Sequence, residues 1–157
     1  LSPASLGART RAWLYVVATA AVVVAVDQLS KAAVRGSIVP GQTRSLLPGV
    51  DLVNTRNKGI AFGFLPGRHW AITVLIALAL LVLLAYFARH ATLPLIWLPT
   101  GMLIGGALGN VADRIRAGSV TDFVKLPLGW PPFNLADAAI TVGVLLLAFA
   151  IERRERA

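Results

Sequence analysis

Four apolar runs, each about as long as a helix that crosses a lipid hydrocarbon core, constrain this chain more than anything else in it. They fall at about 12–29, 70–88, 93–112 and 134–151, and a spanning helix needs roughly 20 apolar residues. Apolar residues make up 57% of the 157, more than a soluble domain usually carries, and the charges gather between the runs. The expected fold is therefore membrane all-α, four transmembrane helices forming a single polytopic domain over 1–157.

The runs differ in what surrounds them. The 70–88 run has no formal charge and is flanked by Arg68, His69 and Trp70 on one side and Tyr86, Arg89 and His90 on the other, as interfacial anchors should be. Arg9 and Arg11 precede the first run in the manner of a signal peptide, but no small-residue cleavage site follows, so a retained span is expected. The third run carries Gly101, Gly105 and Gly109 at four-residue spacing, a ladder that lets another helix backbone come close. Residues 36–67 break the pattern, with short apolar pieces bounded by Gly, Pro, Asn and Thr. They read as a small β-rich extramembrane element. Its end, 57–64, mixes glycines with Phe62 and Phe64 and fits either an interfacial flap or a plain surface loop. Residues 115–133 read as a Gly- and Pro-rich re-entrant or surface connection.

An even number of spans puts both termini on one side. The 30–68 and 113–134 stretches then share the other side with all five aspartates, Asp27, Asp51, Asp113, Asp122 and Asp137, while Glu152 and Glu155 lie in the opposite tail. Acids near bilayer depth are costly and ask for a reason. Asp27 and Lys31 are one helical turn apart, and the spacing alone favours a salt bridge at the helix end, in the interface. Asn110, Asp113 and Arg114 crowd polar groups into one turn at the end of the third run. Asn134 is a good N-cap for the fourth, and Asp137 sits where a carboxylate favours a helix N-terminus; capping and chemistry are both open for it.

Two carboxylates held close cannot both ionise easily, so they share a proton. One then takes a proton from water while the other protonates a carbonyl, which hydrolyses a peptide without a protein nucleophile. Asp122 and Asp137, 15 residues apart on separate elements, are candidates for such a pair. Other chemistries fit less well. The chain has no cysteine, so thiol catalysis and zinc–thiolate sites are excluded. Neither His69 nor His90 sits in a metal-ligand pattern, and no metal or cofactor is expected. No Ser/His/Asp set stands out, and the glycines do not form a phosphate loop. The net charge of +8 comes without any nucleic-acid motif, and suits topology and contact with membrane lipid instead. Raw counting of cations favours the aspartate side as cytoplasmic, whereas their density near span ends favours the termini. The alternative function is a non-enzymatic lipid- or peptide-binding membrane protein or a small proton-coupled transporter, although the acids lie at span ends with no relay across the bilayer.

Five pieces occur in a telling order: Asp27-Gln28-Leu29-Ser30-Lys31, Asn57-Lys58-Gly59-Ile60-Ala61-Phe62, Gly105 through Arg114, Val120-Thr121-Asp122-Phe123, and Phe133-Asn134-Leu135-Ala136-Asp137. With them the chain resembles the lipoprotein signal peptidase (signal peptidase II) family over essentially its whole length. The resemblance implies a bacterial aspartyl endopeptidase of the cytoplasmic (inner) membrane, with both termini cytoplasmic and the site near the outer face. It implies a diacylglyceryl-modified prolipoprotein as substrate, cut just before the lipidated cysteine. Asp122 and Asp137 match the catalytic dyad. Asn57, Asn110, Arg114 and Asn134 match polar residues around substrate and dyad, and Asp27, Lys31 and Asp113 match supporting positions. Gly59 and Ala136, within the matched pieces, join the substrate-binding or site-supporting set. Residues 36–67 correspond to the family's β-cradle and adjoining flap.

Overall fold

A computed structural model describes residues 3–58, 69–91, 93 and 95–155 of the protein. Among them four helices run α1 (Pro3–Ser37), α2 (His69–His90), α3 (Trp97–Ala117) and α4 (Leu135–Glu155). Three short strands, β1 (Thr43–Leu47), β2 (Val50–Asn57) and β3 (Val120–Lys125), form one antiparallel sheet in the order β1-β2-β3. Two helical stretches, Leu6–Ser37 and Leu135–Arg153, are long and apolar enough to cross a membrane. Only 22% and 17% of their apolar windows is buried inside the protein, which is unlike the core helix of a soluble domain. Leu14, Val17, Leu81, Val82 and Leu145 are all more than 60% exposed, an apolar surface that water would not tolerate. A shorter apolar helix, Val74–His90, lies within α2.

The expected runs are present as helices, with shifted limits. α1 is 35 residues long, about 52 Å at 1.5 Å per residue, and so outlasts the expected 12–29 segment at both ends. The helix carries its polar turns beyond Asp27 because they are satisfied inside the protein. The third helix begins at Trp97 rather than near residue 93, after Leu95 takes a positive φ of 57°. It continues to Ala117, where Gly118 closes it in the left-handed region at φ 64° and returns its N–H to the Arg114 carbonyl. α2 and α4 fall within about a turn of expectation.

One expectation falls short. The 115–133 stretch is not only a connection, because Val120–Lys125 is a strand paired along β2. Val-Thr-Asp-Phe-Val has the β-branched and aromatic content that suits a half-buried pleat, but six residues between Gly- and Pro-rich turns are a weak signal. The β-rich reading of 36–67 holds for β1 and β2. The flap expected at 57–65, including Gly59, Phe62 and Phe64, lies outside the described residues from position 59 onward.

α3 is the central helix, packed on α1 and α4 and more lightly on α2. Its glycines make this possible. A Cβ on Gly105 would lie 2.8 Å from the Ala20 carbonyl oxygen of α1, and one on Gly106 2.6 Å from the Ala136 carbonyl oxygen of α4. One face of α3 thus meets α1 backbone to backbone and the adjacent face meets α4 in the same way. The bundle has two ends. At the end holding the chain termini, Ala12, Val16, Phe87, Ala91 and Ile96 form an apolar cluster. At the other end the sheet packs on α1 through Val34, Ile38 and Phe123, and Asn54 donates to the Ile38 carbonyl at 2.8 Å.

Candidate active site

At the sheet end the interior is polar. Asp27, Lys31 and Asn134 are fully buried, and Asp122, Asp113 and Asn110 are 3–5% exposed. Buried charge of this density survives only where each group finds partners.

α1 and α3 supply the charges. Lys31 Nζ lies 2.8 Å from Asp27 Oδ2 and 3.4 Å from Asp113 Oδ2, and it donates to Asn110 Oδ1 at 2.9 Å. The pairing of Asp27 with Lys31 is as expected from their spacing, but its setting is not. Both side chains are fully buried, facing α3 rather than the interface, since Gly109 of α3 leaves room for the Asp27 carboxylate 2.6 Å from where a Cβ would stand. Gln28 completes this cluster, donating to Asp113 Oδ1 at 3.2 Å, to Asp27 Oδ2 at 3.1 Å and to the Gly109 carbonyl at 3.1 Å.

β3 and α4 bring up the two remaining acids. Asp122 sits in the middle of β3, and its Oδ2 accepts from Asn57 Nδ2 at 3.0 Å. Its Oδ1 accepts from Asn134 Nδ2 at 2.6 Å. Asp137 lies in the first turn of α4, where Asn134 Oδ1 accepts the Asp137 N–H at 3.0 Å. The Asn134 N–H returns to Asp137 Oδ2 at 3.2 Å. This reciprocal arrangement is a capping box. The other Asp137 oxygen accepts from Asn110 Nδ2 at 2.8 Å. One asparagine therefore holds both carboxyls, Asp122 by its side chain and Asp137 by its main chain.

Burial, and after it the negative charge of Asp137, pushes the Asp122 carboxyl up to about 6, against the hydrogen bonds from Asn57 and Asn134 and the Lys31 charge. Asp122 therefore keeps its proton to a higher pH than an ordinary aspartate.

Both acids open into a cleft of about 1160 Å³. Asn57, Asn110 and Arg114 share its polar end, while Leu75, Ile76 and Ile140 of α2 and α4 line an apolar part. Arg114 also donates to the Asn110 carbonyl at 3.2 Å. No group of His, Cys, Asp and Glu able to hold a metal occurs among the described residues.

The structure thus brings together Asp27, Lys31, Asn57, Asn110, Asp113, Arg114, Asn134, Ala136 and Asp137 around Asp122, and Gly59 falls outside the described residues. Two participants were missed. Gln28 was legible in principle as a third polar residue beside Asp27 in an apolar helix. Thr121 takes part through its main-chain N–H, which donates to Asp113 Oδ2 at 3.0 Å and which no residue pattern announces.

A sequence model of the family described as signal peptidase (SPase) II matches residues 19–152. The chain belongs to the signal peptidase II family. A lipoprotein signal peptidase of Syntrophomonas wolfei is 42% identical over 139 residues, covering 85% of this chain and 93% of that one. One from Burkholderia mallei is 42% identical over 142 residues, covering 86% of each. Among solved structures, a bacterial membrane enzyme superposes with a TM-score of 0.83 at 29% identity, over 88% of this chain and 87% of the other. A second gives 0.79 at 30% identity, over 87% and 91%. The protein is accordingly a membrane-embedded peptidase, and the polar cleft is where a signal peptidase II fold gathers its acids in this chain.

Proposed function

We propose that the protein is an aspartyl endopeptidase that removes signal peptides from diacylglyceryl-modified prolipoproteins, cutting just before the lipidated cysteine, with Asp122 and Asp137 as the catalytic dyad. The observation that carries the reading is the double grip of Asn134, which fixes Asp122 Oδ1 and Asp137 Oδ2 at the head of one cleft. The similarity to lipoprotein signal peptidases supports the substrate class.

In the mechanism Asp122 holds the shared proton and Asp137 is the base. A water between them gives one proton to Asp137 while its oxygen attacks the scissile carbonyl carbon, and the carbonyl oxygen takes the Asp122 proton. The tetrahedral diol then collapses. Asp137 passes its proton to the leaving amine, Asp122 recovers one from a diol hydroxyl, and the C–N bond breaks. Protons and charges balance without a metal or cofactor. Asn57 and Asn134 fix Asp122 in one orientation, which lowers the reorganisation needed at the transition state.

The apolar part of the cleft, between α2 and α4, suits acyl chains and an apolar signal segment arriving from lipid. On this reading four spans cross the bacterial cytoplasmic membrane, with both termini in the cytoplasm and the dyad near its outer face, the arrangement that the family resemblance implies. This is where a prolipoprotein's lipidated cysteine would meet it.

Purified enzyme given a prolipoprotein with and without the diacylglyceryl group tests the reading. Release of the signal peptide from the lipidated form alone is expected, with the product beginning at cysteine by mass spectrometry. No cleavage, or equal cleavage of both forms, contradicts it.

A further inference from the structure

The dyad reading accounts for Asp122, Asp137 and the asparagines around them, but gives no work to the three charges buried behind them. Asp27 and Lys31 are fully buried and Asp113 nearly so. Well-packed apolar residues commonly replace buried ion clusters without loss of stability, so packing alone does not explain charges in an otherwise apolar bundle. Their remaining hydrogen bonds indicate a use. Asp27 Oδ1 accepts the main-chain N–H of Ala136 at 3.0 Å, and Asp113 Oδ2 accepts that of Thr121 at 3.0 Å. Ala136 immediately precedes Asp137, and Thr121 immediately precedes Asp122. Each buried carboxylate pins the residue before one acid of the dyad, and Lys31 ties the two carboxylates together.

A third link runs through a side chain. Lysine has only donors, so the Asn110 oxygen must face Lys31 Nζ, at 2.9 Å. The Asn110 amide nitrogen is thereby turned to Asp137 Oδ1, at 2.8 Å. Without the ammonium, the amide is free to present its oxygen to the carboxylate instead. Lys31 makes its direct ion pairs with Asp27 and Asp113 and its charge reaches Asp122 of β3, while Arg35 of α1 lies 4.0 Å from Asp113 Oδ1.

We infer that Lys31 is a positioning residue for the dyad, setting the Asp122–Asp137 geometry through the Asp27 and Asp113 contacts to Ala136 and Thr121 and through the Asn110 amide. It rests on the dyad reading. Lys31 donates to neither reacting carboxyl and takes no part in proton transfer.

The test is a mutant cycle on purified enzyme with lipidated prolipoprotein. Lys31→Met with Asp27→Asn removes one charge of each sign, leaves Asp113 with Arg35, and keeps an acceptor for the Ala136 N–H. Thermal unfolding should stay near that of the parent, while kcat falls about ten- to hundredfold, the scale of a small misplacement of reacting groups, with KM within about twofold of the parent. Asn110→Leu, which leaves the charge cluster whole, should lose kcat in the same way. The combined triple variant should lose little more than the charge-paired variant, because removing Lys31 already frees the Asn110 amide. Parent-like kcat in the charge-paired variant, or losses that multiply in the triple variant, would overturn the inference while leaving the dyad standing. An inactive parent enzyme would contradict the dyad itself and the inference with it.

Discussion

The two ends of the bundle solve the same packing problem with opposite chemistry. At the terminal end Trp13 meets Phe87 edge-on, with ring centroids 4.7 Å apart, over a cluster of Ala, Val and Ile. At the sheet end α1 is joined instead to α3, by Asp27, Lys31, Asp113 and Asn110. The apolar end can repack around a lost methyl group, because its contacts have no preferred direction and lipid is as apolar as the side chains. The polar end cannot, since each buried charge is held by specific partners at fixed angles. Tolerance is cheap where only adhesion is needed. Direction is kept where two carboxyls must face one bond.

This contrast can be broken from either side. The largest effect on stability is expected from Lys31→Met alone, which leaves two buried carboxylates without their shared cation and should cost about 3–5 kcal/mol, seen as loss of folded protein in detergent. Phe87→Ala should cost less than the roughly 3–5 kcal/mol of such a change in a soluble core. The per-molecule turnover of the surviving enzyme should match the parent. A drop in kcat from Phe87→Ala would erase the distinction between the ends.

A smaller effect tests the electrostatics. The competent free enzyme carries one proton on the pair, so kcat/KM should fall as pH rises through the Asp122 value of about 6. The Asn57 hydrogen bond lowers the proton affinity of Asp122. Asn57→Ala should therefore move the alkaline limb to higher pH while lowering the maximum rate. A limb that moves to lower pH would contradict the assigned role.

The smallest expected differences lie in the glycines. Gly106→Ala pushes on the Ala136 carbonyl oxygen at 2.6 Å, main chain adjoining Asp137, whereas Gly143→Ala, farther along α4, meets Leu103 Cγ at 3.0 Å. The first should lower kcat by several-fold through the dyad, and the second should shift melting temperature by no more than a few degrees. Equal kinetics for the two variants would show that the position of α4 does not set the rate.

What the sequence showed and hid follows the same division. Hydrophobic run length located all four helices, since that signal is summed over some twenty residues. The α3 glycines declared close packing through their spacing alone. β3 was missed because six residues of strand lie between turn-rich segments and pair with β2, 63 to 74 positions away in sequence. Asp27 and Lys31 were legible as a pair, but spacing carries no information about which face is buried, so their full burial was not. Asp137 is the most instructive case. Capping and chemistry stood as alternatives, and the structure shows the capping box directly with the same carboxyl opening on the cleft. The helix start is the device that aims the acid, and one residue serves both readings.

The central claim is that Asp122 and Asp137 act as one catalytic unit, and single-turnover cleavage of a diacylglyceryl-modified prolipoprotein by Asp122→Asn, Asp137→Asn and the double variant tests it most directly. Asparagine keeps the volume and one acceptor oxygen while removing the proton chemistry. All three proteins should fold like the parent and lose cleavage by a similar factor, about a thousandfold or more, with the double variant no worse than either single one. Near-parental cleavage by either single variant would contradict the account.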